Sequence, residues 1–227
     1  PADIKAAQQI LNKSYDPLEL SVEDALRFST GDISTVAKLP ITNFEAKGEL
    51  ANLINAINNN ESIPMIENPR GFKGQLRPYQ QRGVGWLSFL EKWGLGACLA
   101  DDMGLGKTPQ LIGFLLHLRS EEMLDQPTLV ICPTSVLNNW EREVQKFAPT
   151  LSSLIHHGDK RSKGKAFVKA VSKKNVIITS YSLIYRDIKS FEQVEWQGIV
   201  LDEAQNIKNP QAKQSQAVRQ ISTQFRI

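Results

Sequence analysis

The stretch Ala97-Cys98-Leu99-Ala100-Asp101-Asp102-Met103-Gly104-Leu105-Gly106-Lys107-Thr108 decides how this chain is read. It opens on four small or apolar residues, Ala97 to Ala100, a short strand candidate. It then turns through Gly104 and Gly106 and closes on Lys107-Thr108. Beyond it, residues 107–119 place Leu111, Ile112, Leu115 and Leu116 on one side of a helix. A phosphate-binding loop needs this order of strand, glycine turn and helix. Glycines let the backbone wrap round phosphate and present successive N–H donors. The helix N-terminus adds the positive end of its dipole. Within the loop of Asp102, Met103, Gly104, Leu105, Gly106, Lys107 and Thr108, Lys107 would reach the β- and γ-phosphates of a bound nucleotide. The Thr108 hydroxyl would hold Mg²⁺. The general pattern G-x-x-x-x-G-K-[ST] has Gly where this chain has Asp101. Pro109 is tolerated because the first helical turn needs no N–H there. Its position sets a helix start close to Lys107.

Outward from the loop, strands and helices alternate. A helix is expected from about Tyr79 to Trp93. Thr128 to Cys132 reads as a strand, residues 135–147 as a helix, and Val176 to Thr179 and Gly198 to Leu201 as further strands. Strands buried on both faces read as short continuous apolar runs, as these do. The alternation implies an α/β fold with a mostly parallel sheet. The strand Gly198-Ile199-Val200-Leu201 ends directly in Asp202-Glu203. Ligands of open α/β sheets bind beyond the carboxyl ends of the strands. If the two strands run parallel, Asp202 and Lys107 meet on one edge. Asp202 is then placed to hold Mg²⁺ and Glu203 to orient or deprotonate an attacking water. The catalytic candidates are therefore Lys107, Asp202 and Glu203, with Thr108 and Asp202 as metal ligands.

Ala100 to Gln110, Asp202-Glu203-Ala204-Gln205 and Leu76-Arg77-Pro78-Tyr79-Gln80 together resemble the Swi/Snf-type ATPases, duplex-DNA translocases related to superfamily 2 helicases. Ile131 to Trp140, Thr179-Ser180-Tyr181 and Asn206-Ile207-Lys208-Asn209-Pro210 extend the resemblance over about residues 75–227, in the family's order. The resemblance implies a RecA-like first ATPase lobe, a three-layer α/β/α domain. It implies that Gln80 hydrogen-bonds adenine, with Arg82 and Tyr79 nearby, and that Gln205 couples the nucleotide state to a second lobe. It places Pro133, Thr134, Ser180 and Tyr181 near the DNA backbone. The implied cofactors are ATP and Mg²⁺. The implied partners are duplex DNA, bound without sequence preference, and a second RecA-like lobe carrying an arginine finger. Pro109 stands where the family more usually has Ile or Leu.

The chain has 227 residues, with Lys and Arg numbering 27 against 24 Asp and Glu. Residues 1–70 carry a net of −4 and residues 71–227 a net of +7, a change of sign that hints at a boundary and a polyanion partner for the second segment. Residues 1–70 are expected to be a small helical accessory segment with a linker, and 71–227 the ATP-binding lobe. Ser21-Val22-Glu23-Asp24 resembles a capping box. Phe44, Leu50, Leu53, Ile54 and Ile57 fall at helical spacing. Pro1 at one end and Phe225-Arg226-Ile227 at the other read as the cut ends of a fragment, with the family's next motif expected just past Ile227.

No run of 18 apolar residues exists, so a membrane-spanning helix is excluded. Cys98 and Cys132 lie in apolar strings and read as reduced core residues, which points to a reducing, cytoplasmic setting; the resemblance adds nucleoid association if the protein is bacterial or archaeal. Residues 156–174 hold seven basic residues and the single acid Asp159. They read as a solvated helix and loop ahead of a phosphate-binding patch. His156 and His157 show no partner in the sequence, and the four tryptophans read as packing. Two alternatives to a DNA-stimulated motor stand. One is an RNA helicase of the same superfamily, against which Asp202-Glu203-Ala204-Gln205 and Leu76-Arg77-Pro78-Tyr79-Gln80 argue. The other is a nucleotide- and DNA-binding module that does not turn over.

Overall fold

The computed structural model describes residues 26–27, 35–36, 39–40, 45–58 and 63–227. The chain divides into two compact units between Ile63 and Pro64. In the first unit, β1 (Thr35–Val36) pairs antiparallel with β2 (Leu39–Pro40), and α1 runs over Glu49–Asn58. The helical spacing of Leu50, Leu53 and Ile54 is thus realised, whereas the two short strands interrupt an otherwise helical expectation. The capping box at Ser21 to Asp24 lies outside the described residues.

The second unit is a three-layer α/β/α sandwich. Its elements are α2 (Pro78–Lys92), α3 (Lys107–Ser120), β3 (Thr128–Cys132), α4 (Leu137–Phe147), β4 (Ser153–His156), α5 (Gly164–Val171), β5 (Val176–Ser180), α6 (Tyr181–Arg186), α7 (Ile188–Phe191), β6 (Trp196–Leu201), α8 (Lys213–Gln220) and β7 (Thr223–Arg226). Five strands form one parallel sheet in the order β4-β5-β3-β6-β7. This is the mostly parallel α/β architecture that the alternation demanded.

The apolar runs work because successive side chains point to opposite faces. Val130, Cys132, Val176, Ile178 and Val200 join one core with Leu111, Ile112, Leu115, Trp140 and Val144 from α3 and α4. Leu129, Ile131, Ile177 and Ile199 join the other with Phe167, Val171, Ile184, Phe191 and Val218. Gly198 has a specific reason. It stands opposite Phe225 in the β6–β7 register, and a Cβ there would lie 2.0 Å from the Phe225 ring. That ring in turn meets Phe114 edge-on at 5.3 Å.

Two expectations are corrected here. Ala97 to Ala100 does not form a regular strand. It runs beside β7 with one backbone bond, Ala97 N–H to the Arg226 carbonyl at 2.9 Å. Ala97 and Leu99 face the core while Cys98 and Ala100 are exposed, so the segment is extended but lies at the sheet margin. Cys98 is accordingly a surface residue. Cys132 is buried, and burial, with the Asp202 carboxylate adding to it, pushes its thiol up to about 12.

His156 also has a partner after all. It is buried at the end of β4, with Nε2 3.0 Å from Asp187 Oδ2. Arg161 donates to both oxygens of the same carboxylate, from Nε at 2.5 Å and Nη2 at 3.2 Å. The single arginine of the basic run, Arg161, therefore anchors its loop, while Lys160, Lys163, Lys165, Lys169 and Lys173 are exposed. Burial holds the His156 imidazole below its ordinary range, against the pull of Asp187. Burial pushes the Asp187 carboxyl up, but hydrogen bonds from Arg161 and His156 outweigh it and hold the group below its ordinary range.

Both shifts favour neutral pH. The His156 contribution is complete above the unfolded pKa of about 6.5 and is lost as pH falls toward the folded value. The Asp187 contribution is complete above about 3.9 and is lost as pH falls through its lowered folded value. Asp187→Ala is expected to cost about 3 kcal/mol at pH 7, the low end for a broken buried pair, because Arg161 keeps some water. Urea unfolding would measure it. A loss below about 1 kcal/mol would mean that Arg161 and His156 find other partners.

Candidate functional site

The site is built on the carboxyl edge of the sheet. Cys132 pairs with Ser180 and Ile131 with Leu201, so the loops after β3, β5 and β6 leave from one edge. Pro133-Thr134, Tyr181 and Asp202-Glu203 follow those strands directly. The glycine loop reaches the same edge beyond β7. A cavity of about 690 Å³ joins them, lined by Asp101, Met103, Lys107 and Thr108 from the loop, Asp202, Glu203 and Gln205 from the end of β6, and Trp140 from α4. The sequence candidates Lys107, Thr108, Asp202, Glu203 and Gln205 therefore converge.

The loop takes the shape its glycines allow. Gly104 and Gly106 have φ of 85° and 80°, and Gly106 caps α3, which starts at Lys107 as Pro109 required. Lys107 Nζ donates to the carbonyls of Asp101, at 2.5 Å, and Asp102, at 3.3 Å. The loop is braced from α2. The Leu105 carbonyl accepts from Tyr79 Oη at 2.8 Å and from Gln80 Nε2 at 3.0 Å. Gln80 Oε1 accepts from the Arg77 N–H at 2.9 Å, so both ends of that amide are engaged. Arg82 is exposed on the same helix.

Gln110 is a residue that the motif reading passed over. Only 1% exposed, it donates from Nε2 to Asp101 Oδ2 at 2.7 Å. Its other end lies against Gly83, where a Cβ would come within 1.9 Å of Oε1. Asp101, which departs from the generic loop pattern, is thus tied to the body of α3. Only the buried face of α3 against Gly83 could have signalled this.

The acidic pair is held differently at its two positions. Asp202 N–H donates to the Ile131 carbonyl at 2.9 Å, prolonging the sheet. The Asp202 carbonyl accepts from Tyr181 Oη at 2.8 Å, and Oδ2 accepts from Trp140 Nε1 at 2.7 Å. Glu203 is exposed and left-handed at φ 55°, a conformation that costs a side-chain-bearing residue about 1–2 kcal/mol. Gln205 Nε2 donates to Glu203 Oε2, and Asn206 Nδ2 donates to its carbonyl at 2.8 Å.

Of the residues expected beside DNA, Thr134 is exposed and Pro133 half-buried. Ser180 and Tyr181 are buried, and the Tyr181 ring reaches inward to Asp202. Burial pushes the Tyr181 hydroxyl pKa up, with Asp202 adding to it, so the group is a stable donor. Thr108 and Asp202 offer hard oxygen donors to one cavity, which fits Mg²⁺. Among the described residues, no group of three His, Cys, Asp or Glu side chains gathers to form a protein-only metal cage. Nor is any helix among them long and apolar enough to cross a membrane.

The family model described as the SNF2-related domain matches residues 79–227. The chain belongs to this family. The Sulfolobus solfataricus SWI2/SNF2 ATPase core, solved in complex with dsDNA, superposes on it with a TM-score of 0.65 and 47% identity, covering 72% of this chain and 33% of that one. YwqA of Bacillus subtilis, provisionally named an ATP-dependent helicase/translocase, is 47% identical over 178 residues, 78% of this chain and 19% of the relative. The ISWI chromatin-remodeling complex ATPase ISW1 of Saccharomyces cerevisiae is 41% identical over 163 residues, 71% of this chain and 14% of the relative. The SNF2-related chain thus spans about a fifth or less of these curated relatives. The likeness to the solved SWI2/SNF2 core agrees with the RecA-like expectation for the sheet and its helices.

Proposed function

We propose that residues 71–227 are the ATP-binding lobe of a DNA-dependent ATPase that translocates on duplex DNA and remodels protein–DNA complexes. The observation that carries this reading is the single cavity lined by Lys107, Thr108, Asp202 and Glu203. In this reading the N–H groups of Gly104 to Thr108 and the Lys107 ammonium bind the phosphates. Thr108 and Asp202 would hold Mg²⁺, which would offset the negative charge of the phosphates. Glu203 orients the attacking water and takes its proton at a carboxylate oxygen. Gln80, with Arg82 and Tyr79 beside it, meets the base by exchanging its bond to the Leu105 carbonyl for one to the nucleotide. Gln205, bonded to Glu203, is placed to report nucleotide state to a second lobe.

Duplex DNA lies against the loops that carry Pro133-Thr134 and Ser180-Tyr181, with the exposed Thr134 hydroxyl and loop backbone groups meeting phosphate and the buried Ser180 and Tyr181 shaping the loop behind them. The dsDNA in the solved relative supports this choice over RNA. Residues 1–70 form an accessory segment, and the protein works on the nucleoid or its equivalent. A second lobe would supply an arginine finger, worth about 10³–10⁵ in turnover. The lobe alone is therefore expected to bind Mg-ATP and to hydrolyse it at least ~10³-fold more slowly than the two-lobed protein. Steady-state hydrolysis by both, with and without duplex DNA, tests this. DNA-stimulated turnover by the lobe alone at the full rate would mean that it completes its own site.

A further inference from the structure

We propose that Trp140 is a positioning residue for Asp202, one that fixes which carboxylate oxygen faces the nucleotide-bound metal ion. The inference rests on the nucleotide reading above and deepens it. Asp202 is gripped at three points. Its N–H bonds Ile131, its carbonyl accepts from Tyr181, and its Oδ2 accepts from Trp140 Nε1. The first two fix the backbone but leave the carboxylate free to turn about its side-chain torsions. The indole bond removes that freedom. It occupies Oδ2 and leaves Oδ1, which accepts no hydrogen bond from any described residue, for the cavity that Thr108 also lines.

Geometry argues for positioning over simple packing. A buried indole N–H needs some acceptor. Trp196 shows the ordinary solution, donating to the Phe191 backbone carbonyl at 2.9 Å. Trp140 instead donates to the carboxylate of the site itself, a charge-assisted bond and a directional one. Its ring is 3% exposed among Leu111-side core residues, so the donor is held by packing. Partners that orient a metal-ligating carboxylate typically change metal affinity or activity by about 10–100-fold when lost. Trp140 stands on α4, which follows directly from the Thr134–Val136 turn, and Tyr181 follows Ser180. The helix that follows one segment assigned to DNA, and the other segment itself, thus each send one hydrogen bond to the same aspartate.

The test uses the full-length protein with Mn²⁺ as probe. Free Mn²⁺ is followed by electron paramagnetic resonance in the presence of a non-hydrolysable ATP analogue. Trp140→Phe keeps an aromatic ring and removes the donor. It is expected to raise the Mn²⁺ midpoint roughly tenfold or more while analogue binding without metal is unchanged. Asp202→Asn serves as the reference for a lost ligand. If Asp202→Asn shifts the midpoint and Trp140→Phe does not, the positioning role is overturned and the nucleotide reading stands. If the unsubstituted protein takes up no Mn²⁺ with the analogue, or Lys107→Ala leaves the uptake intact, the nucleotide reading fails and this inference falls with it.

A variant-free measurement covers the case in which Trp140→Phe does not fold. In protein with ¹⁵N-labelled tryptophan, the Trp140 indole resonance is expected to shift when Mg²⁺ joins the bound analogue, while that of Trp196 stays in place. A Trp140 resonance that moves no more than that of Trp196 overturns the proposal.

Discussion

Lys107→Ala is expected to weaken Mg-ATP binding by roughly 10²-fold, read by titrating the chain with nucleotide. Hydrogen bonds to charged groups contribute about 1.5–3 kcal/mol each, and 2.7 kcal/mol corresponds to roughly a hundredfold. Two effects compete in this number. The ammonium now donates to the Asp101 and Asp102 carbonyls, so meeting phosphate requires it to give up at least part of those bonds. The exchange favours phosphate, because anionic oxygens attract an ammonium more strongly than neutral carbonyls do. Removing Lys107 also loosens the loop. That should not unfold the domain, since the loop remains tied through Leu105 to Tyr79 and Gln80 and through Asp101 to Gln110. Unchanged affinity in a folded Lys107→Ala variant would sink the phosphate-loop assignment.

The sheet was legible because burial on both faces writes itself as apolar runs. Thr128 to Cys132 and Val176 to Thr179 needed no partner to be recognised, and the register places their ends together. β4 was not legible. Ser153–His156 is a margin strand of partly exposed residues, paired on one side only, so its run is short and ends in a histidine. The Ala97 to Ala100 segment erred the other way. Small and apolar residues after Gly96 fit a strand pattern, yet among the described residues only the Arg226 carbonyl bonds its backbone.

The site divides along the same line. Residues proposed to meet phosphate or metal follow closely on strand ends or the glycine turn, so Lys107, Thr108, Asp202 and Glu203 stood out as candidates, and they line one cavity. Residues that hold these groups in place come from elsewhere in the chain. Gln110 braces Asp101 because α2 supplies Gly83 opposite it. Trp140 reaches Asp202 across 62 positions, and Tyr181 across 21. Buried aromatics give the same apolar signal whether their polar tip meets a backbone carbonyl, as in Trp196, or a carboxylate, as in Trp140. Only the packed structure separates the two. The same holds for His156, whose partner Asp187 lies 31 positions away between two short helices.

Glu203→Gln, in the two-lobed protein, is expected to keep nucleotide binding and to lower hydrolysis by about 10²–10⁴-fold, the usual contribution of a positioned general base. The substitution is nearly isosteric. Its amide oxygen can still accept from Gln205 Nε2, and its backbone can keep the left-handed turn that Asn206 supports. The strain at φ 55° is unchanged, so stability should hold. What changes is charge and basicity. Taking one negative charge from a site proposed to receive polyphosphate removes a repulsion, so affinity should stay level or rise slightly. An amide cannot accept the proton of an attacking water, so turnover should fall. Binding and hydrolysis thus move apart, which a folding defect would not produce. Backbone strain of this kind at a side-chain-bearing residue recurs at functional sites, and here it aims Glu203 into the cavity beside Asp202. Normal turnover by Glu203→Gln, measured beside the unsubstituted protein with duplex DNA present, would remove Glu203 from the chemistry and leave Asp202 to account for it alone.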